Sequence, residues 1–176
     1  MIMHKTIFLC FFLAITIIVS GQAKQDRAGN LIGYAQKSDF LKRQYKRWFE
    51  YHYKNYQPEK KIVEEIKKNL SGISVLCFMG TWCGDSKRET PRFYKIMEQA
   101  NFNFEKNFTL IVLNRLKKTS DNLQEGYAIR RVPTFIFYKK GKELGRYVEY
   151  PRESMEKDIL KIITKQPYRH SYDKGK

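Results

Sequence analysis

The chain has 176 residues, and 34 lysines and arginines against 18 acidic residues give it a formal net charge of +16. This length allows one domain with a full hydrophobic core, and three cysteines are too few for a disulfide-scaffolded mini-protein. The basic residues are scattered along the chain, which indicates weak attraction to anionic surfaces and disfavours a dedicated nucleic-acid site.

Residues 1–23 have the features of a secretory signal peptide. Lys5 precedes a nearly unbroken apolar run of about 13 residues, 7–19, and small residues follow. The alternative is a transmembrane anchor, but the run is shorter than the roughly 20 residues that a membrane-spanning helix needs. We therefore expect cleavage near Ala23, after either Ala23 or Gly21, and export to the periplasm or the outside of the cell.

The region after the signal peptide is predicted to contain a leader and two helices. Residues 24–37 are polar and lack a periodic apolar face, so we expect a flexible leader. Residues 38–58 are predicted to form an N-terminal helical extension that begins at Ser38, with an apolar stripe made of Leu41, Tyr45, Trp48, His52 and Tyr56. We interpret this stripe as a packing surface, and the alternative is a base-stacking surface. A second helix is predicted over residues 59–70.

The remaining pattern alternates strands and helices. We expect strands at 73–79, 108–113, 134–138 and 143–149, and further helices at 85–100 and 153–164. This order predicts an α/β fold in which a central mixed sheet of about four strands carries helices on both faces. The main domain is expected to span residues 59–166, and residues 167–176 are expected to form a basic, frayed tail.

The strongest functional candidate is Cys83, which lies between the strand at 73–79 and the helix that follows it. At this position the unpaired N–H groups and the positive end of the helix dipole favour a thiolate. Lys87 also favours the thiolate, and Asp85 opposes it. Ser86 is expected to lie close enough to donate a hydrogen bond to the sulfur. These features predict a nucleophilic thiol.

The stretch Trp82-Cys83-Gly84 after a buried strand resembles the thioredoxin active-site motif, Trp-Cys-Gly-Pro-Cys. Pro91 matches the proline that kinks the active-site helix of thioredoxins, and Val132-Pro133-Thr134 matches the element whose proline is cis in that family. The resemblance covers about residues 62–164 and implies a thioredoxin-like fold. It also implies that substrate is bound by a groove made of Trp82, Gly84, Asp85, Val132, Pro133 and Thr134.

The departures from this motif define the expected chemistry. Ser86 stands at the position of the second, resolving cysteine, and a serine hydroxyl is not ionised at neutral pH, so it cannot attack a mixed disulfide. Cys77 stands where the family commonly has a buried acid. We interpret Cys77 as an inert core residue, and the alternative is a hidden resolving thiol. Glu149 stands where thioredoxins have a glycine, and it is either an exposed strand-end charge or a carboxylate that attracts substrate or acts as a base.

Together these features predict an exported monothiol thioredoxin-like protein that exchanges disulfides through Cys83. Isomerisation or deglutathionylation suits a single thiol better than net reduction does. The expected partners are protein disulfides or thiols, and low-molecular-weight thiols; no nucleic acid is expected. The alternative is a thioredoxin-fold module that binds a peptide or protein without redox turnover. We expect no cofactor and no metal, because His4, His52 and His170 are far apart in the chain.

Overall fold

The computed structural model describes residues 23–173, which form a six-stranded mixed sheet with the spatial order β1-β2-β4-β3-β5-β6. The strands are β1 (Lys24–Gln25), β2 (Leu31–Ala35), β3 (Ile73–Met79), β4 (Phe108–Val112), β5 (Thr134–Lys139) and β6 (Lys142–Val148). β3 and β4 are parallel, and the other neighbouring pairs are antiparallel. The helices are α1 (Lys37–Phe40), α2 (Arg43–Asn55), α3 (Lys60–Asn69), α4 (Gly84–Gln99), α5 (Phe104–Asn107) and α6 (Met155–Ile163). The predicted α/β class, a thioredoxin-like fold with a central mixed sheet, is confirmed, and the sheet has six strands instead of about four because β1 and β2 extend one edge.

Side chains at alternate strand positions form two apolar clusters, one on each face of the sheet. The main core joins Val75, Cys77 and Phe135 of the strands to residues of the four longer helices, among them Phe49, Val63, Phe93 and Ile159. The second cluster contains Phe78, Ile111, Leu113, Val132 and Ile136. Leu123, Tyr127 and Ile129 of the turn-rich 114–131 segment cover this second cluster. The two covering layers therefore differ, because long helices lie on one face and turns on the other.

The elements that carry the central strand and the following helix form as the sequence predicts. β3 has the predicted bounds, and its side chains enter the two clusters alternately, as the two-residue period of a strand requires. α4 contains Pro91 within its length, and its inner face carries the buried residues Phe93, Ile96 and Met97. Within residues 23–173, no helix is both long and apolar enough to cross a membrane.

The predicted flexible leader at residues 24–37 is wrong, because β1 and β2 lie there. β2 pairs with β4, which places Gly33 opposite Val112, and the side chain of Leu31 is buried in the main core. The Leu31 N–H also donates a hydrogen bond to Thr81 Oγ1 at 3.1 Å. β1 consists of the two polar residues Lys24 and Gln25, and Gly33 within β2 has a φ of +102°. Neither feature is typical of a strand, so local sequence pattern did not indicate one.

The predicted helix at residues 38–58 is divided into α1 and α2, and α1 begins after Gln36, not at Ser38. Phe40, Tyr45 and Phe49 are buried in the main core, so this segment is part of the domain and not an extension of it. The predicted packing role of the aromatic stripe is confirmed for Tyr45, and Trp48 packs against the same core.

The predicted frayed tail at residues 167–176 is wrong for the described part, which ends at residue 173. Tyr168 donates a hydrogen bond to Asp158 Oδ2 at 3.2 Å, and Ser171 donates one to the Tyr150 carbonyl at 2.5 Å. The ring of Tyr172 packs edge-on to Tyr150, with 5.6 Å between the ring centroids. Aromatic side chains within a basic stretch thus attach this segment to the domain. The predicted signal peptide falls on residues outside the described range, apart from Ala23.

Candidate active site

Cys83 lies at the junction between β3 and α4. β3 ends at Met79, and a turn follows in which the Cys83 N–H donates a hydrogen bond to the Gly80 carbonyl at 2.9 Å. Cys83 has an extended backbone conformation and is the residue that caps the start of α4; its carbonyl accepts a hydrogen bond from the Lys87 N–H at 3.0 Å. Its side chain is partly exposed. A thiol is therefore accessible at the positive end of a long helix.

The thiol of Cys83 points to the loop that precedes β5. Cys83 Sγ lies 3.1 Å from the carbonyl oxygen of Val132, which accepts a hydrogen bond from the thiol. The peptide bond between Val132 and Pro133 is cis. Both residues are buried, and Thr134 Oγ1 donates a hydrogen bond to the Arg131 carbonyl at 2.8 Å. The Trp82-Cys83-Gly84 stretch and the Val132-Pro133 element, which are about 50 residues apart in sequence, are thus in contact through the sulfur of Cys83.

Trp82 has a fixed position beside the thiol. Its indole Nε1 donates a hydrogen bond to the Leu113 carbonyl at 2.9 Å, and the Arg115 guanidinium lies 5.7 Å from the ring centroid. The ring covers Gly80 so closely that a Cβ at that position would lie 2.6 Å from two indole atoms. Gly84 differs, because a Cβ there would meet nothing within 4 Å. Gly80 is therefore required for close packing, and Gly84 is not.

Ser86 and Asp85 already have partners within the protein. Ser86 is buried, and its Oγ accepts a hydrogen bond from the Gly80 N–H at 3.2 Å. The expected hydrogen bond between Ser86 and Cys83 is absent from the hydrogen bonds of residues 23–173. The Asp85 carboxylate forms an ion pair with Arg88 at 2.7 Å, and Asp85 does not line the groove beside Cys83. Ser86 therefore holds the turn that precedes α4.

Cys77 lies on the opposite face of the sheet from the groove. It is fully buried in the main core, whereas Cys83 packs against the second cluster, and both cysteines are free thiols. Burial raises the pKa of the Cys77 thiol well above its usual value. Cys77 is therefore placed as an unreactive core residue.

Glu149 follows the end of β6 and has a left-handed backbone conformation, with a φ of +60°. This conformation favours glycine, which is the residue that the resemblance implies at this position. The Glu149 carboxylate pairs with Arg131 at 3.3 Å and accepts a hydrogen bond from the Tyr172 hydroxyl. That hydrogen bond, together with burial, raises the pKa of Tyr172 to about 12. Arg131 also lies over the Tyr172 ring, 3.7 Å from its centroid. Glu149 therefore anchors the C-terminal segment.

These residues surround an open groove of about 1120 Å³. Of the predicted site residues, the groove brings together Trp82, Cys83, Val132, Thr134 and Glu149. Its wall is otherwise rich in basic residues, namely Arg115, Lys117, Arg130, Arg131 and Arg146, and it also includes His170, Tyr172 and Asp173. The sequence reasoning missed these residues. Arg130 and Arg131 directly precede Val132 and could have been found from that motif, whereas nothing local indicated Tyr172.

Over residues 23–173, no three His, Cys, Asp or Glu side chains are grouped as metal ligands would be. The chemistry that the described site offers is therefore that of one accessible thiol, with a backbone carbonyl beside it and a basic groove around it.

A family model described as thioredoxin matches residues 34–161, which begin within β2. A thioredoxin-like protein of Acanthamoeba polyphaga mimivirus is 31% identical over 92 residues, which are 51% of this chain and 61% of that protein. The chain thus spans less than two thirds of that relative. Bovine thioredoxin is 29% identical over 112 residues, which are 61% of this chain and 97% of that protein.

Among solved structures, an HIV epitope-scaffold protein is similar in fold, with a TM-score of 0.50 and 17% identity over 69% of this chain and 83% of the other. This likeness concerns the fold alone. The family match covers most of the chain and includes the cysteine at the start of α4 and the cis proline beside it. The chain belongs to the thioredoxin family.

Proposed function

We propose that this chain is an exported monothiol protein that carries out thiol–disulfide exchange through Cys83. The observation that carries the proposal is the position of Cys83 Sγ, which is partly exposed at the start of α4 and 3.1 Å from the Val132 carbonyl. The thiolate is the nucleophilic form of a cysteine, and the partly exposed sulfur of Cys83 is accessible to a substrate disulfide. Val132 and Thr134 line the same groove, so a substrate segment bound there would lie against the sulfur.

In the proposed reaction, the Cys83 thiolate attacks one sulfur of a substrate disulfide. A new disulfide forms between Cys83 and the substrate, the original disulfide breaks, and the departing thiolate takes up a proton. The count of disulfides does not change. A second thiol must then attack the mixed disulfide to release Cys83. In isomerisation that thiol comes from the same substrate. In deglutathionylation Cys83 attacks the glutathione sulfur instead, so the reduced substrate leaves; a second glutathione then attacks the Cys83–glutathione disulfide, which frees Cys83 and forms glutathione disulfide.

The arrangement of the neighbouring groups supports an external resolving thiol. Ser86 stands where a second cysteine would act, and its hydroxyl is buried against the Gly80 N–H. Cys77 is in the main core, so it would reach Cys83 only if β3 left the sheet. We infer that the mixed disulfide persists until a thiol arrives from outside the protein.

The proposed export rests on the apolar run at residues 7–19 and the small residues that follow it. Expression in a secreting host followed by N-terminal sequencing tests it. We expect the exported chain to begin after Gly21 or Ala23. An exported chain that retains Met1 would refute cleavage.

The exchange reaction is tested with a peptide that carries a mixed disulfide with glutathione. Intact-mass analysis should show either the peptide, with glutathione released, or glutathione, with reduced peptide released, attached to the wild-type protein and to Cys77→Ala, and no adduct on Cys83→Ser. Ser86→Cys provides the informative gain of function, because a thiol at that position should release the reduced peptide without added thiol. If wild-type protein forms no adduct and the peptide still binds equally to wild type and Cys83→Ser, the protein is a binding module instead.

A further inference from the structure

We propose that the groove recognises an acidic polypeptide segment that carries the substrate disulfide, and that Arg115, Lys117 and Arg130 bind its carboxylates. This inference rests on the proposed function of Cys83 and specifies its substrate class. It follows from how the charges that line the groove are paired.

Two of the five basic groove residues are neutralised by carboxylates of the protein. Arg131 pairs with Glu149 at 3.3 Å, and Arg146 pairs with Glu143 through hydrogen bonds of 2.6 and 2.9 Å. By contrast, among the residues that the structure describes, Arg115, Lys117 and Arg130 form no ion pair with a carboxylate. Arg115 acts electrostatically on the Asp26 carboxylate at longer range, and Asp173 also lines the groove. The groove therefore carries three basic side chains that are outside its ion pairs.

These three charges line the same groove as the thiol and come from two segments of the chain. Arg115 lies over Trp82, the residue before Cys83, with 5.7 Å between its guanidinium and the ring centroid. Lys117 is in the same turn, which is fixed by hydrogen bonds from the backbone N–H groups of residues 116 and 118 to Asn114 Oδ1. Arg130 lies two residues before Val132, whose carbonyl contacts the thiol. An extended chain bound over the sulfur would thus lie in a groove to which both segments contribute basic residues.

The chemistry of the site favours a polypeptide as the anionic occupant. The reactive thiol requires a sulfur-bearing partner, which excludes a nucleic acid or a lipid headgroup as substrate. Guanidinium groups pair with carboxylates through two parallel hydrogen bonds, which suits Glu and Asp side chains. The groove is open and has a volume of about 1120 Å³, so it can hold more of a polypeptide than one cysteine. Glutathione disulfide also carries carboxylates, so the experiment must separate it from a peptide.

The expected effect is an increase in the rate of association. Charges of one sign in a cleft raise the local concentration of an oppositely charged partner, and salt screens this effect. The net charge of +16 also attracts acidic peptides to the whole surface. A test must therefore compare groove charges with an equal number of charges elsewhere.

Three peptides of equal length test the proposal. Each has a central cysteine that forms a disulfide with 2-thiopyridine. The residues on both sides of this cysteine are Glu in the first peptide, Gln in the second and Lys in the third. Attack by Cys83 attaches the peptide and releases thiopyridone, whose absorbance gives a second-order rate constant. We expect the Glu peptide to react about tenfold faster than the Gln peptide at low salt and the Lys peptide to react more slowly than both. The Glu-to-Gln ratio should approach one at high salt.

The matched variants each remove three positive charges. Arg115→Gln/Lys117→Gln/Arg130→Gln should lower the Glu-to-Gln ratio to about one. The control changes Lys60, Lys61 and Lys67, which are exposed on α3 and do not line the groove, to glutamine and should retain the ratio.

Equal rates for the Glu and Gln peptides in the wild type would overturn the proposal, as would an equal effect of both triple variants. If the groove variant slows the reaction of Cys83 with glutathione disulfide but does not slow its reaction with the Glu peptide, the anionic occupant is not a polypeptide and the proposal is overturned. If none of the peptides reacts, it is the proposed function of Cys83 that fails.

Discussion

Replacing Gly80 by alanine should destabilise the turn that positions Cys83. A Cβ at Gly80 would lie 2.6 Å from indole atoms of Trp82, whereas ordinary van der Waals contacts begin near 3.4 Å. The indole must therefore move by nearly 1 Å, and its hydrogen bond to the Leu113 carbonyl, now 2.9 Å long, must lengthen or break.

The expected change in the free energy of unfolding of Gly80→Ala is the sum of three contributions. Overpacking costs about 1–3 kcal/mol, and loss of the indole hydrogen bond costs about 0.5–1.5 kcal/mol. Replacing glycine by alanine restricts the unfolded chain, which returns about 0.4–1 kcal/mol. The free energy of unfolding should therefore fall by about 2 kcal/mol, which moves the urea midpoint by about 1 M.

Gly84→Ala is the matched control, since it makes the same chemical change four residues later. A Cβ at Gly84 meets nothing within 4 Å, and alanine is favoured over glycine within a helix. We expect its urea midpoint to equal or exceed that of the wild type. In a Trp82→Ala background, Gly80→Ala should no longer destabilise the protein. Equal midpoints for Gly80→Ala and wild type, or destabilisation that persists without the indole, would refute the reasoning.

Three further predictions concern other parts of the described chain. Iodoacetamide should modify Cys83 and leave Cys77 unmodified in native protein, because burial raises the pKa of the Cys77 thiol; peptide mass mapping should find both modified in urea. Tyr147→Phe should lower the free energy of unfolding by about 1.5–3 kcal/mol, because the buried Glu89 carboxylate loses a hydroxyl donor 2.9 Å away; an unchanged urea midpoint would contradict this. Burial lowers the pKa of His52 below 6.5, so the folded state binds its proton less readily than the unfolded state does. Wild-type stability should therefore decrease relative to His52→Gln as pH falls through 6.5, and parallel urea midpoints from pH 7 to 5 would contradict the assignment.

The sequence was informative where the signal is local. The apolar run at β3, the change to helical spacing after Cys83 and the Val132-Pro133 element each depend on neighbouring residues only. The resemblance then placed Cys83 and Val132 at one site, where a distance of 3.1 Å joins them. The hydrogen bond expected from Ser86 to Cys83 is not formed, since Ser86 Oγ contacts the Gly80 N–H instead. That choice depends on a hydroxyl rotamer, which residue spacing does not determine.

The features that the sequence did not indicate depend on contacts between distant residues. Leu31 is buried because β2 pairs with β4, whose residues lie about 80 positions later in the chain. Tyr172 attaches the C-terminal segment through Glu149 and Arg131, and neither pairing has a local pattern. The uneven covering of the sheet was missed for the same reason, since helical periodicity shows that a helix has an apolar face but not which side of a sheet it covers.

The 114–131 segment covers the second cluster through Leu123, Tyr127 and Ile129, and it also supplies four of the five basic residues of the groove. The proposed substrate recognition and the covering of the second cluster therefore depend on one stretch of chain that contains no regular helix or strand. Its exposed charges can change over evolution without disturbing β3, α4 or the thiol between them. Insertions or deletions there would uncover Phe78 and its neighbours. Diversification of substrate choice in this protein should thus proceed by substitution at constant loop length.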